Sequence, residues 1–191
     1  MTSDDITIHR GLTGVYFDRS ATTFIDGKNG VLEYRGYNIN QLAEHSTFEE
    51  TGYLLIHGKL PTQAELNDFD AELKAARELP EQVFDVLELV KDSHPMDALR
   101  TAVSALASFD EDRNDNSPEA TIRKGNRLTS QVPSIVMAHH NIRQGKDPIK
   151  PSTVLNHAGN FLYMLNGDEP SAATAELMDK DFVLHADHGS N

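Results

Sequence analysis

No cysteine occurs among the 191 residues, which removes disulfides, a thiolate nucleophile and every zinc or iron–sulfur site built on thiolates. Basic residues are also scarce: 17 Lys and Arg stand against 30 Asp and Glu, for a net charge of −13. That balance argues against nucleic acid or an anionic membrane as the main partner. It also sets the average field against any anionic substrate, which would need local arginines and histidines to hold it. No apolar run approaches the ~20 residues that a bilayer-spanning helix requires. The start, Met1 to Arg10, is acidic and polar and unlike a signal peptide, so a cytoplasmic protein is expected. Internal repeats and low-complexity segments are missing too. What remains, 38% hydrophobic and 25% charged, suits a globular protein with a sizeable core, either one domain or most of a larger one.

Strand signals come first along the chain. Ala21-Thr22-Thr23-Phe24-Ile25 and Val31-Leu32-Glu33-Tyr34 are rich in β-branched and aromatic residues, and Asp26-Gly27-Lys28-Asn29-Gly30 between them tolerates positive φ. This predicts a β-hairpin that Gly36 ends. From Ile39 onward the pattern is helical. Ser46-Thr47-Phe48-Glu49 and Thr62-Gln63-Ala64-Glu65 each match the capping box, in which a hydroxyl and a carboxylate three residues apart satisfy free amides at a helix start. Leu66, Phe69, Leu73 and Ala76, and after Pro80 the set Val83, Val86, Leu87 and Val90, recur at helical spacing and read as core.

His94-Pro95-Met96-Asp97 opens another helix with Leu99, Ala102, Val103 and Leu106 along it. No nucleophile pairs with His94, which reads as a helix-start residue packing on a neighbour, and Arg100 reads as a member of structural ion pairs. The acidic run from Asp110 to Asn116 reads as a solvated loop. Ser117-Pro118-Glu119 starts a long helix toward Arg143, with a kink predicted at Pro133. Val154 to Leu165 and Ser171 to Asp187 read as two further helices. The fold class is therefore all-α with a short N-terminal β-hairpin, divided into a hairpin-bearing segment, 1–36, and a helical body, 37–191.

The chain closes on His185-Ala186-Asp187-His188-Gly189-Ser190-Asn191. Leu177, Leu184 and His188 share one helical face, with Met178, Phe182 and His185 on the adjacent one, so this helix is expected to be buried, with both histidines in apolar surroundings at its end. Such a cluster can bind a metal, bind a carboxylate substrate or cap the helix. For a metal, His185, His188 and Asp187 would need a further ligand. The only other histidine cluster, His139-His140, points to different helix faces. No metal is expected.

These segments together resemble the citrate synthase family. The resemblance is carried in order by Ser20 to Gly27 with Gly30 to Tyr37, by Tyr53-Leu54-Leu55-Ile56-His57-Gly58-Lys59-Leu60-Pro61-Thr62, by His94 to Leu106, by Asn160-Phe161-Leu162-Tyr163-Met164-Leu165, and by Leu184-His185-Ala186-Asp187-His188. It implies a mainly helical large domain, a smaller mobile domain and a homodimer, with a dimer surface expected along 117–144. The implied activity condenses oxaloacetate with acetyl-CoA and water to give citrate and CoA, in the tricarboxylic acid cycle. Acetyl-CoA acts there as co-substrate and no further cofactor is implied. His188 matches the family histidine that contacts oxaloacetate, Asn191 matches the asparagine lining the same pocket, and His185 is expected behind His188 rather than on substrate.

The family's enol-stabilising histidine, catalytic aspartate and substrate arginines have no counterpart before Asn191. The expectation is accordingly an N-terminal part of a subunit, inactive alone. Gly189 stands where many relatives carry glutamate. Two alternatives remain open: a 2-methylcitrate synthase using propionyl-CoA, and a non-enzymatic helical interaction module.

Overall fold

The computed structural model describes residues 8–12, 14–15 and 18–188. It is mainly helical, with a small antiparallel sheet near its start. Strands β1 (Thr23–Asp26) and β2 (Val31–Tyr34) form the expected hairpin, Asp26 pairing with Val31 and Thr23 with Tyr34. The Asp26 carboxylate closes the turn by accepting from the Lys28 and Asn29 amides and the Asn29 side chain. Those bonds favour the ionised form and hold its pKa below the usual value.

The sheet does not end at Gly36. Arg35 (φ 51°) and Gly36 (φ 85°) make a two-residue turn with positive φ at both positions, which returns the chain as a third strand, β3 (Tyr37–Asn38). Arg35 is held in this unusual conformation by two bonds from its guanidinium to the Leu55 carbonyl, at 3.2 and 2.7 Å.

Eight helices follow among the described residues: α1 (Ile39–His45), α2 (Phe48–His57), α3 (Gln63–Ala75), α4 (Glu81–Leu89), α5 (Pro95–Leu106), α6 (Pro118–Arg143), α7 (His157–Asn166) and α8 (Ala172–Leu184). The capping box at Thr62 and Glu65 forms as read. The earlier one is displaced by a residue: Thr47, not Ser46, is the N-cap of α2, with Glu50 as its partner. Glu49 is thereby free to turn inward, where it is buried and accepts the His157 amide at 2.7 Å. His94 is an exposed N-cap whose Nδ1 accepts from the Met96 amide, and Arg100 pairs with Asp97. The run 110–116 is not simply solvated, because Asp110 and Asp112 accept from Arg127, and Asp112 also from Arg123, which fastens the loop onto α6.

Three apolar clusters organise the described residues, the smallest being Tyr53, Phe69 and Leu73 between α2 and α3. Val83, Leu87, Ala102, Leu106, Ile135, Ala138 and Ile142 join α4, α5 and α6, and Tyr34, Ile39, Leu42, Leu54 and Val183 join the sheet to α1, α2 and α8. Helix α6 passes Pro133 as one element, and its second half, including Ser134, Ile135, Ala138 and Ile142, is buried within this chain. No helix among the described residues is long and apolar enough to cross a membrane.

Candidate functional site

Helix α8 delivers the closing segment, but not in the surroundings expected from its composition. It is not buried on all sides: Leu177 is 71% and Leu184 43% exposed, and only Asp179 and Val183 are buried. The helix also stops earlier than expected, at Leu184, so His188 lies beyond it and does not continue the Leu177–Leu184 face. The reason is local. His185 serves as the C-cap, its amide bonding to Asp181 O at 3.1 Å, and the Tyr34 hydroxyl takes up the Leu184 carbonyl.

His185 is therefore exposed rather than apolar-set. Its Nδ1 lies 2.8 Å from the Asp181 carbonyl and 3.5 Å from the Asp181 carboxylate. Its ring is engaged one turn back along its own helix. His188 is exposed, and Asn191 lies outside the described residues. Among the described residues no group of three or more His, Asp or Glu gathers in a metal-holding arrangement.

The residues just before His188 are firmly anchored. Tyr34, with 0% exposure, donates from its hydroxyl toward Leu184 O (3.1 Å) and Asp187 O (3.2 Å), and accepts from the Asp187 amide (3.4 Å). Burial pushes the phenol above its usual pKa, so it stays protonated and able to donate. Thr23 Oγ1 donates to the Asp187 carboxylate, and Ala186 packs against the cluster around Tyr34.

A second polar junction holds the middle of α8. Asp179 accepts from the Phe48 amide at 3.2 Å, placing a carboxylate at the N-terminus of α2. Burial raises its pKa to about 6, against the lowering effect of that bond. His157, at the start of α7, stacks on Phe48 with 4.4 Å between ring centroids and meets Phe182 edge-on. Burial, with the nearby Arg77 charge, lowers its pKa to about 4, so it is neutral. Neither Asp179 nor His157 stood out from the sequence. A carboxylate between Met178 and Phe182 on an apolar helix was the available signal.

Cavities of about 410 Å³ and about 160 Å³ lie elsewhere, the larger between α5, the 107–113 loop and α6, and the smaller beside Arg77, Phe84 and Ile149. Neither takes a residue from the 185–188 segment.

With this geometry in hand, the chain was compared with known proteins. Residues 11–191 match the family model described as citrate synthase, C-terminal domain. The chain is 47% identical over 185 residues to a citrate synthase of Deinococcus radiodurans, an alignment covering 96% of this chain and 49% of that protein. It is 48% identical over 189 residues to a citrate synthase of Haloferax volcanii, covering 96% and 50%. Among solved structures, a citrate synthase from Pyrobaculum aerophilum superposes with a TM-score of 0.91 at 36% identity, over 95% of this chain and 48% of that one. The chain thus spans about half the length of the relatives it matches.

Proposed function

The chain belongs to the citrate synthase family, and on that footing we propose that it serves the condensation of oxaloacetate with acetyl-CoA and water to give citrate and CoA. In this reading His188 is a hydrogen-bond donor to the oxygen atoms of oxaloacetate. It holds the keto acid in place while the acetyl methyl carbon, once a base has removed its proton, forms the new bond at the carbonyl carbon, whose oxygen takes up a proton to become the hydroxyl. Hydrolysis of the resulting thioester then releases citrate and the CoA thiol. Asn191 belongs to the same pocket. The protein acts as a cytoplasmic homodimer of the tricarboxylic acid cycle.

The observation that carries this reading is the family match through residue 191, together with the presentation of His188 to solvent directly after an anchored segment. A net charge of −13 opposes two anionic substrates, so fixed donors at the pocket matter more than the overall field. The test is oxaloacetate-dependent release of free thiol by the complete product of the gene, with acetyl-CoA and propionyl-CoA offered separately. Turnover with acetyl-CoA should exceed that with propionyl-CoA; the reverse order would make it a 2-methylcitrate synthase, and no turnover with either a non-enzymatic module. Replacing His188 by Ala should raise the oxaloacetate KM by roughly tenfold or more, as loss of a hydrogen-bond donor to a bound carboxylate does. An unchanged KM and kcat would make His188 a structural residue.

A further inference from the structure

The small sheet has no obvious task in a helical molecule. Its best-buried side chain, however, reaches the segment that carries His188. β-Register explains how. Thr23 on β1 and Tyr34 on β2 are directly paired, so their side chains leave the same face of the sheet side by side. Both end on Asp187: Thr23 on its carboxylate, and Tyr34 on its carbonyl and amide as well as on Leu184 O. Slippage by one residue would turn both side chains to the opposite face and release the segment.

The tyrosine ring and its hydroxyl do separate work. The ring packs among Ile39, Leu42, Leu54 and Val183, a contact that phenylalanine would keep. The hydroxyl, buried with the ring, meets the backbone of residues 184 and 187. Ala186 fills the space between them against the same cluster. Backbone, side chain and packing are thus all fixed at residues 184–187, and the next residue, His188, is exposed.

We infer that Tyr34 and Thr23 are positioning residues for His188: the paired strands clamp Asp187 so that the imidazole of the following residue meets substrate in one orientation. This inference rests on the reading of His188 as an oxaloacetate donor. The clamp acts through a backbone held at both amide and carbonyl, which leaves little freedom for the adjacent Cα. A donor displaced by about 1 Å loses much of its hold on the substrate oxygen it meets.

The experiment uses the complete gene product with four variants: Tyr34→Phe, Thr23→Val, Thr23→Ser and His188→Ala. For each, KM for oxaloacetate, KM for acetyl-CoA, kcat and melting temperature are measured. Tyr34→Phe and Thr23→Val are expected to raise the oxaloacetate KM by about five- to tenfold, with the acetyl-CoA KM within about twofold of the parent. Thr23→Ser, which keeps the donor, is expected to restore the parent value. Two results would overturn the clamp. If His188→Ala raises the oxaloacetate KM while Tyr34→Phe and Thr23→Val change only the melting temperature, the sheet is structural and the reading of His188 survives. If His188→Ala itself leaves KM and kcat unchanged, the reading of His188 fails and the clamp fails with it. Should Tyr34→Phe not fold, the Thr23 pair decides alone, since Thr23 is only partly buried and lies outside the apolar cluster.

Discussion

Asp179 and His157 both meet Phe48, one at its backbone amide and the other at its ring, yet their protonation pulls stability in opposite directions. Asp179 has a folded pKa of about 6, above its usual 3.8, so the folded protein binds the extra proton between those values. Its stabilising contribution is full below pH 3.8 and is lost as pH rises through about 6. Burial is the main cause, with Glu49, Glu50 and Glu176 adding repulsion. His157 is depressed from 6.5 to about 4 by burial and by Arg77, so its contribution is full above pH 6.5 and is lost as pH falls through about 4. Each effect is on the order of 2–3 kcal/mol over its window, and between pH 4 and 6 they largely cancel. Asp179→Asn removes one arm. The variant should match or exceed the parent in melting temperature at pH 7.5 and lose stability more steeply than the parent between pH 6.5 and 4. Thermal melts across that range that superpose on the parent's would show that Asp179 does not titrate as described.

At the scale of elements, the start of α2 shows how a local rule and a distant partner combine. Thr47 accepts from the Glu50 amide, Glu50 accepts from the Thr47 amide, and Asp179 takes the Phe48 amide from across the molecule. Thr47→Ala should cost about 1 kcal/mol in chemical denaturation, with Thr47→Ser close to the parent. A loss near zero would mean that Asp179 alone suffices to cap α2. Gly36, at φ 85°, should resist replacement for a different reason: Gly36→Ala forces a Cβ into the left-handed region and should cost roughly 1 kcal/mol or more. The readout is again the denaturation midpoint.

These elements also show what a sequence makes legible. Ser46-Thr47 followed by Glu49-Glu50 contains two overlapping capping boxes, and nothing local chooses between them. The choice falls to His157, whose amide claims Glu49 from a position 108 residues away. The third strand was hidden because Arg35 adopts a conformation that arginine seldom takes, held there by the Leu55 carbonyl. Helix identity, the β1–β2 hairpin and the Thr62 cap followed from period and turn chemistry. The clamp on Asp187 did not, since Thr23 and Asp187 are 164 residues apart and neither residue type announces the other.

Across the whole molecule, the end of α3, helix α6 and the loop leading to α7 are joined by polar contacts at Arg77, which follows α3 and is only 2% exposed. Its Nη1 donates to the carbonyls of Ser152 (2.7 Å) and Leu155 (2.8 Å), fixing the approach to α7, and its own carbonyl accepts from Ser134 on α6 at 2.8 Å. Glu49 on α2 and Asp70 on α3 contribute favourable field, while burial works against the charge and lowers the guanidinium pKa. Nε and Nη2 find no hydrogen-bond partner among the described residues, so the charge is retained at a cost. Removing it should still be destabilising. Arg77→Ala leaves two loop carbonyls without their donor, opens a cavity beside α6, and deprives the buried Glu49 of its compensating charge. The expected loss is about 3 kcal/mol in urea denaturation. Arg77→Lys keeps the charge but loses the planar guanidinium that sets Nη1 between both carbonyls, and should fall between the parent and Arg77→Ala. If Arg77→Ala loses less than about 1 kcal/mol, an ordinary surface value, the packing of α6 against α7 holds these elements together without it.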